Sequence, residues 1–88
     1  MIASQQRHIR DLWAQIYRLL KLSLSIDNAP SEKAEILASL SYAALCTEKP
    51  EEAITAANEG LGVVSDESIE VITRLMQNLE RAQNDLES

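Results

Sequence analysis

The feature that most constrains this chain is a seam of small residues on either side of a short polar turn, within residues 34–67. The turn is Thr47-Glu48-Lys49-Pro50. The small residues around it are Ala43, Ala44, Ala53, Ala57 and Gly60. Small side chains at helical spacing let two helix axes approach closely. We therefore predict a hairpin of two short helices, in which Pro50 takes the first helical position because its missing N–H needs no partner there.

The composition favours helices throughout the chain. Of the 88 residues, 45% are hydrophobic but only 3% are aromatic, so the core must be built from Leu, Ile, Val and Ala. Two glycines and two prolines leave room for few turns, and hence for a few long elements. The sequence predicts one all-α domain over residues 1–88, a four-helix array. Its parts are a first helix at 4–25, the hairpin at 31–62 and a C-terminal helix at 66–86.

The boundaries of these helices follow from capping residues. Ser31 is a favourable N-cap for the first helix of the hairpin. Gly62 predicts the end of the second helix of the hairpin, since glycine is frequent just past a helix C-terminus. Ser65 or Asp66 is expected to cap the C-terminal helix. That helix carries a short heptad seam, which comprises Ile72, Leu75, Leu79, Ala82 and Leu86, with Ile69 and Met76 beside it.

The hairpin resembles a single tetratricopeptide (TPR) repeat, a helix–turn–helix unit of about 34 residues. Leu37 and Leu40 take the tryptophan and leucine places of that pattern, Ala53 keeps its alanine, and the segment 50–54, Pro-Glu-Glu-Ala-Ile, matches it best. Besides Leu37 for tryptophan, the chain departs from the pattern at four places, Ser41 for glycine, Ala44 for tyrosine, Ala57 for phenylalanine and Ser65 for the closing proline. The resemblance covers roughly the middle 40 per cent of the chain.

In size and layout the chain is also similar to the small TPR-like chaperones of bacterial type III secretion. This similarity rests on residues 33–61, an Ala/Leu-rich helix, a short polar turn and then Glu-Glu-Ala-Ile. It implies a cytoplasmic protein that keeps needle subunits or other aggregation-prone helices soluble.

The first helix carries two neighbouring apolar rows. The first row comprises Ile9, Leu12, Ile16, Leu19 and Ile26, and the second row comprises Trp13, Tyr17, Leu20 and Leu24. Together they cover roughly half of the helix circumference, which is wider than one packing face needs. We expect the first row to belong to the core and the second row to contact another protein, because Trp and Tyr are frequent interface anchors. The alternative is that both rows belong to the core.

Charge is unevenly distributed along the chain. The net charge is −6, yet residues 1–24 carry four basic side chains against one acidic side chain. An acidic body argues against nucleic-acid binding, which needs clustered Lys and Arg. The basic first helix either lies on the acidic body or steers an acidic partner helix.

No residue set for catalysis, for a cofactor or for a metal can be recognised. His8 is the only histidine and is expected at the surface, and Cys46 is the only cysteine. We expect Cys46 to be a small buried hydrophobe, with an intermolecular link as the alternative. The chain has no glycine-rich phosphate loop and no nucleophile–histidine–acid signature. Because the start of the chain lacks a secretory signal and no apolar run could cross a membrane, a cytoplasmic location is expected.

These observations predict a non-enzymatic protein-binding adaptor or chaperone. It would hold a helical segment of a partner in an apolar groove, with Trp13, Tyr17, Leu20 and Leu24 as the contact residues. The resemblance described above implies that it is a type III secretion chaperone. The alternative is a structural homo-oligomeric helical bundle, in which the first helix pairs with that of a second copy. An enzyme subunit without an active site of its own is a third reading.

Overall fold

The computed structural model describes residues 2–26, 29–65 and 68–87, with side chains from Ile9 onward. Over these residues the chain forms four α-helices and no strand. The helices are α1 (Ile2–Leu24), α2 (Pro30–Cys46), α3 (Pro50–Val63) and α4 (Ile69–Glu87). The predicted all-α fold with four helices is confirmed. The side chain of His8, predicted at the surface, and residue Asp66, a predicted cap, lie outside the described part of the chain.

Helix α2 is the centre of the arrangement. It packs against α1, α3 and α4, and α3 also packs against α4. Among the described helices, α1 lies close to the backbone of α2 alone. Helices α1 and α4 are therefore the two outer helices, and they flank α2 without contacting each other closely.

The α2–α3 hairpin contains most of the core. The predicted small residues Ala43, Ala44, Ala53, Ala57 and Gly60 are all buried. A Cβ on Gly60 would lie 2.6 Å from Cδ2 of Leu75 in α4, so the missing side chain is what admits that leucine. Leu75 and Ala82 are buried, whereas Leu86, also predicted for the α4 seam, is 47% exposed.

The turn between α2 and α3 closes with a Schellman pattern. The Lys49 amide donates to the carbonyl of Ala44, and the Glu48 amide donates to the carbonyl of Leu45. Glu48 has a φ of 61°, in the left-handed region that glycine usually occupies. Pro50 begins α3, as predicted, and Glu51 and Glu52 lie in its first turn, where their charges suit the helix dipole.

Helix α1 begins at Ile2, two residues before its predicted start at residue 4. Three further predicted boundaries are wrong, each for a local reason. Helix α2 begins at Pro30, not Ser31, because proline needs no N–H partner in the first turn, and no side chain caps that helix. Helix α3 continues through Gly62 to Val63. Neither glycine has the positive φ of a glycine helix cap, and the helix ends because Val64 has an extended backbone. Helix α4 begins at Ile69, and the carbonyl of Ser68 accepts the first helical hydrogen bond, from Ile72.

Among the described residues, none of the four helices combines the length and the apolar character that a transmembrane segment requires.

Candidate functional site

The two apolar rows of α1 have exchanged the roles that the sequence predicts. Tyr17 of the second row is buried, and Trp13, Leu20 and Leu24 are partly buried against the core. The first row is exposed, with values of 53% for Ile9, 44% for Leu12, 39% for Ile16, 63% for Leu19 and 65% for Ile26. The prediction that the first row belongs to the core is wrong. Helix α1 meets α2 on one side only, and its aromatic row buries more area there.

Tyr17 fixes α1 to the start of α3. Its hydroxyl donates a hydrogen bond to the carboxylate of Glu52. The Nζ atoms of Lys49 and Lys21 lie 4.8 and 5.1 Å from the centre of the phenol ring. Burial raises the pKa of Tyr17 above its usual value, and the hydrogen bond to Glu52 and its negative charge raise the pKa further. Because Tyr17 is packed inside the fold, it offers no free ring to a partner, contrary to its predicted contact role.

An open groove of about 620 Å³ lies between the two outer helices. It is lined by Trp13, Ile16 and Leu20 of α1, by Ser39 and Tyr42 of α2, and by Arg74, Gln77 and Asn78 of α4. The α1 wall is apolar and the α4 wall is polar. Between them, the rings of Trp13 and Tyr42 meet edge to face, with centroids 5.3 Å apart and planes at 70°.

A polar network ties the α4 wall to α2 at the groove. The Asn78 side-chain amide donates to Ser41 Oγ at 2.8 Å and to the Ala38 carbonyl at 3.2 Å. Ser41 Oγ in turn donates to the Ala38 carbonyl at 2.8 Å. Ser41 is fully buried, and these bonds satisfy its hydroxyl. The network holds Asn78 in place, so one edge of the groove is fixed by hydrogen bonds as well as by packing.

The structure divides the four predicted contact residues between two places. Trp13 and Leu20 line the groove, whereas Tyr17 and Leu24 border a smaller cleft of about 270 Å³ that also includes Glu52 of α3. Of the other groove residues, Ile16 was predicted for the core, and the remaining five were not singled out from the sequence. Tyr42 of α2 and the polar wall of α4 belong to no motif. The only hint of the Ser41–Asn78 hydrogen bond in the sequence is that Ser41 lies among the small residues of α2. Its position does not indicate that Asn78 is the residue it binds.

The basic side chains of α1 lie away from the groove. Arg10 Nη2 is 3.4 Å from Glu48 Oε1 at the hairpin turn, in an exposed ion pair that contributes little to stability. Lys21 lies over Tyr17. These contacts favour the interpretation in which the basic helix lies on the acidic body. The cation that lines the groove is Arg74 of α4.

Over the described residues, no cluster of three or more His, Cys, Asp or Glu side chains could hold a metal ion. Cys46 is half-buried and not enclosed, contrary to its predicted burial, and it lines a shallow cleft with Ile9, Arg10 and Glu48.

Comparison of the chain with protein-family models, with curated proteins and with solved structures found no match to any of the three.

Proposed function

We propose that this chain is a non-enzymatic protein-binding adaptor or chaperone that holds an amphipathic helix of another protein in the groove between α1 and α4. The observation that carries the proposal is the groove itself, which is open, about 620 Å³ in volume and floored by Trp13 and Tyr42. Concave sites with apolar and aromatic linings and a few polar groups are the usual binding sites of proteins.

The exposed first row extends the apolar wall beyond the groove. Ile16 belongs to both, and Leu12 and Leu19 lie one turn away on either side along α1. A contiguous exposed apolar strip of this kind marks a contact surface in a protein of this size. A partner helix would place its own apolar stripe along this strip, in the helix-in-groove mode of recognition.

The polar side chains of the α4 wall indicate which residues the partner helix should carry beside its apolar stripe. Arg74 is exposed and lines the groove, and Gln77 and Asn78 lie next to it. A carboxylate beside the partner's apolar stripe would face Arg74, and such a pair sets orientation and association rate more than affinity. The expected partner is therefore a helix with an apolar stripe and an acidic flank.

The finer version of the proposal rests on the sequence resemblances alone. The TPR-like hairpin supports a scaffold for helix binding, and the similarity to type III secretion chaperones supports an aggregation-prone helix as the client and the cytoplasm as the location.

The test uses a designed helical peptide with a leucine stripe and a glutamate flank, titrated into the protein. Trp13 is the only tryptophan and lies on the groove, so its fluorescence reports occupancy. We expect a saturable blue shift with this peptide and none with a scrambled peptide that disperses the leucines. Tyr42→Ala, which removes the floor, should weaken binding at least about tenfold, the range of an aromatic anchor. Ile69→Ala is the matched control outside the groove and should bind as the parent does. Equal binding of the scrambled peptide, or no effect of Tyr42→Ala, would overturn the proposal.

One observation favours the alternative of a homo-oligomeric bundle. The first row has the three-and-four spacing of a helix-pairing seam, and its side chains from Ile9 to Leu19 are 39–63% exposed.

A further inference from the structure

The outer helices each carry an exposed apolar row of the same spacing. On α1 this is the first row, which advances by three, four and three residues from Ile9 to Leu19. On α4 it is a row, here called the α4 row, that comprises Ile69, Ile72, Met76, Leu79 and Leu86. Ile69 is 72% exposed and Met76 58% exposed, whereas Ile72 and Leu79 are half-buried. Alternating steps of three and four residues are the spacing at which one helix packs along another.

The α4 row lies on a different face of α4 from the groove. Helix α4 faces the groove with Arg74 and Asn78, whereas Met76 and Leu79 of the α4 row border a second cleft of about 490 Å³ with Leu61 of α3. Gln77 lines both the groove and this cleft. Since each row belongs to an outer helix, the first row and the α4 row of one chain do not cover each other.

We infer that the first row of one copy docks on the α4 row of a second copy, so that the chains associate head to tail. The charges of the two helices favour this pairing. Residues 1–24 carry a net charge of +3, and α4 carries four acidic against two basic side chains. Pairing of α1 with α1 would bring together two basic helices, and pairing of α4 with α4 two acidic ones. Opposite net charges attract, whereas like charges suppress the wrong pairing.

The immediate neighbours of the first row do not oppose such a contact. Trp13, Gln15, Leu20 and Leu22 flank it, and none of them is charged. On the partner side Glu80 lies beside Met76 and Leu79. The apolar rows would thus supply the contact, and the surrounding charges would set which helices meet.

A head-to-tail contact joins two different surfaces, so each copy keeps one free surface of each kind. Such contacts build rings if the rotation closes and open chains if it does not. The inference goes beyond the proposed function, because it adds the α4 row and does not require a helix of another protein in the groove. Both use the first row, so a partner helix and a second copy would compete for that surface.

The test is complementation between two variants that each lose one surface. Leu12→Glu with Leu19→Glu disables the first row, and Ile69→Glu with Met76→Glu disables the α4 row. All four side chains are at least 44% exposed, so both variants should keep the parent's circular dichroism. Asn84→Glu is the control for an added charge, since Asn84 is exposed on α4 and lies outside both rows.

In sedimentation velocity, the parent and Asn84→Glu should both form species that grow with protein concentration. Each double variant alone should be monomeric, and an equimolar mixture should form a 1:1 dimer and nothing larger. A monomeric parent, a mixture that stays monomeric, or an α4-row variant that dimerises alone would overturn the inference. If a double variant loses helicity, Leu19→Ser and Met76→Ser replace it in the same experiment. Tyr42→Ala removes the groove floor and should assemble as the parent does, which separates this result from the fate of the proposed function.

Discussion

The hairpin and the outer helices use apolar residues in opposite ways. In α2 and α3, Ala43, Ala44, Ala53 and Ala57 are completely buried, and their small size brings the backbones together. In α1 and α4, large residues such as Leu19 and Ile69 are more than 60% exposed. The middle of the chain therefore determines the shape of the molecule, whereas the ends carry more apolar surface than the fold itself uses. Surplus apolar surface at defined helical spacing is what a contact site requires.

The largest expected effect comes from removing the side chain that joins the hairpin to α4. Leu75 is fully buried in a cluster with Ala38 and Ala57. Leu75→Ala should lower the free energy of unfolding by about 2–5 kcal/mol, because it leaves a cavity among small residues that cannot collapse. Met76→Ala, on the exposed α4 row, should change the free energy of unfolding of the monomer by less than about 0.5 kcal/mol. Urea unfolding at low protein concentration measures the free energy of unfolding of both variants. Equal decreases for Leu75→Ala and Met76→Ala would contradict the difference between the hairpin and the outer helices.

The two glycines of α3 provide a smaller contrast within one helix. Gly60→Ala gains up to about 1 kcal/mol of helix propensity. It should nevertheless destabilise the protein by a net ~1–2 kcal/mol, since overpacking against buried Leu75 costs more. Gly62→Ala meets nothing within 4 Å and should raise the free energy of unfolding by about 0.5–1 kcal/mol. Thermal unfolding of the pair gives the sign of each change. A stabilised Gly60→Ala would mean that α3 and α4 are farther apart than described.

The junction between α1 and the hairpin depends on the hydroxyl of Tyr17. Tyr17→Phe should cost about 0.5–1.5 kcal/mol at neutral pH, because Glu52 loses its hydrogen-bond donor. The pKa of Tyr17 is raised in the folded state, so the folded protein retains the phenolic proton after the unfolded chain has lost it. This contribution is complete below the unfolded pKa of about 10 and is lost as the pH rises above it.

The pH dependence of stability tests the role of the Tyr17 hydroxyl separately from the effect of Tyr17→Phe at neutral pH. Between pH 8 and 11 the parent should lose stability more steeply than the variant, and the difference should be confined to the region above about pH 10. Identical pH profiles for the two proteins would show that the buried phenol is not linked to folding.

Local chemistry explains why the hairpin could be predicted from the sequence. The turn residues, Pro50 at the start of α3 and the small seam residues all act within a few positions of each other. Their effects can therefore be read without knowing the tertiary structure. The same local logic was wrong at Gly62, because glycine permits a helix end but does not require one, and extended Val64 ends α3 instead.

The orientation of α1 could not be predicted in this way. Both of its rows are apolar at helical spacing, and periodicity defines an apolar arc without saying which edge of the arc meets α2. The row that packs against α2 is determined by contacts with residues that are distant in sequence. Tyr17 finds Glu52 at a separation of 35 residues, and Trp13 meets Tyr42. The groove has the same origin, since Asn78 and Ser41 are 37 residues apart.

Helix α1 packs through its second row and leaves its first row exposed. Two adjacent leucines, one from each row, test this packing most directly. Leu20 is half-buried against the core, and Leu19 is 63% exposed. Urea unfolding of Leu19→Ala and Leu20→Ala is measured at two protein concentrations ten times apart, which separates folding from association. We expect Leu20→Ala to lose about 1–2 kcal/mol at both concentrations, because it is only partly buried. Leu19→Ala should lose less than about 0.5 kcal/mol at the lower concentration. A larger loss for Leu19→Ala than for Leu20→Ala at that concentration would show that the first row is the packed one and would contradict the account.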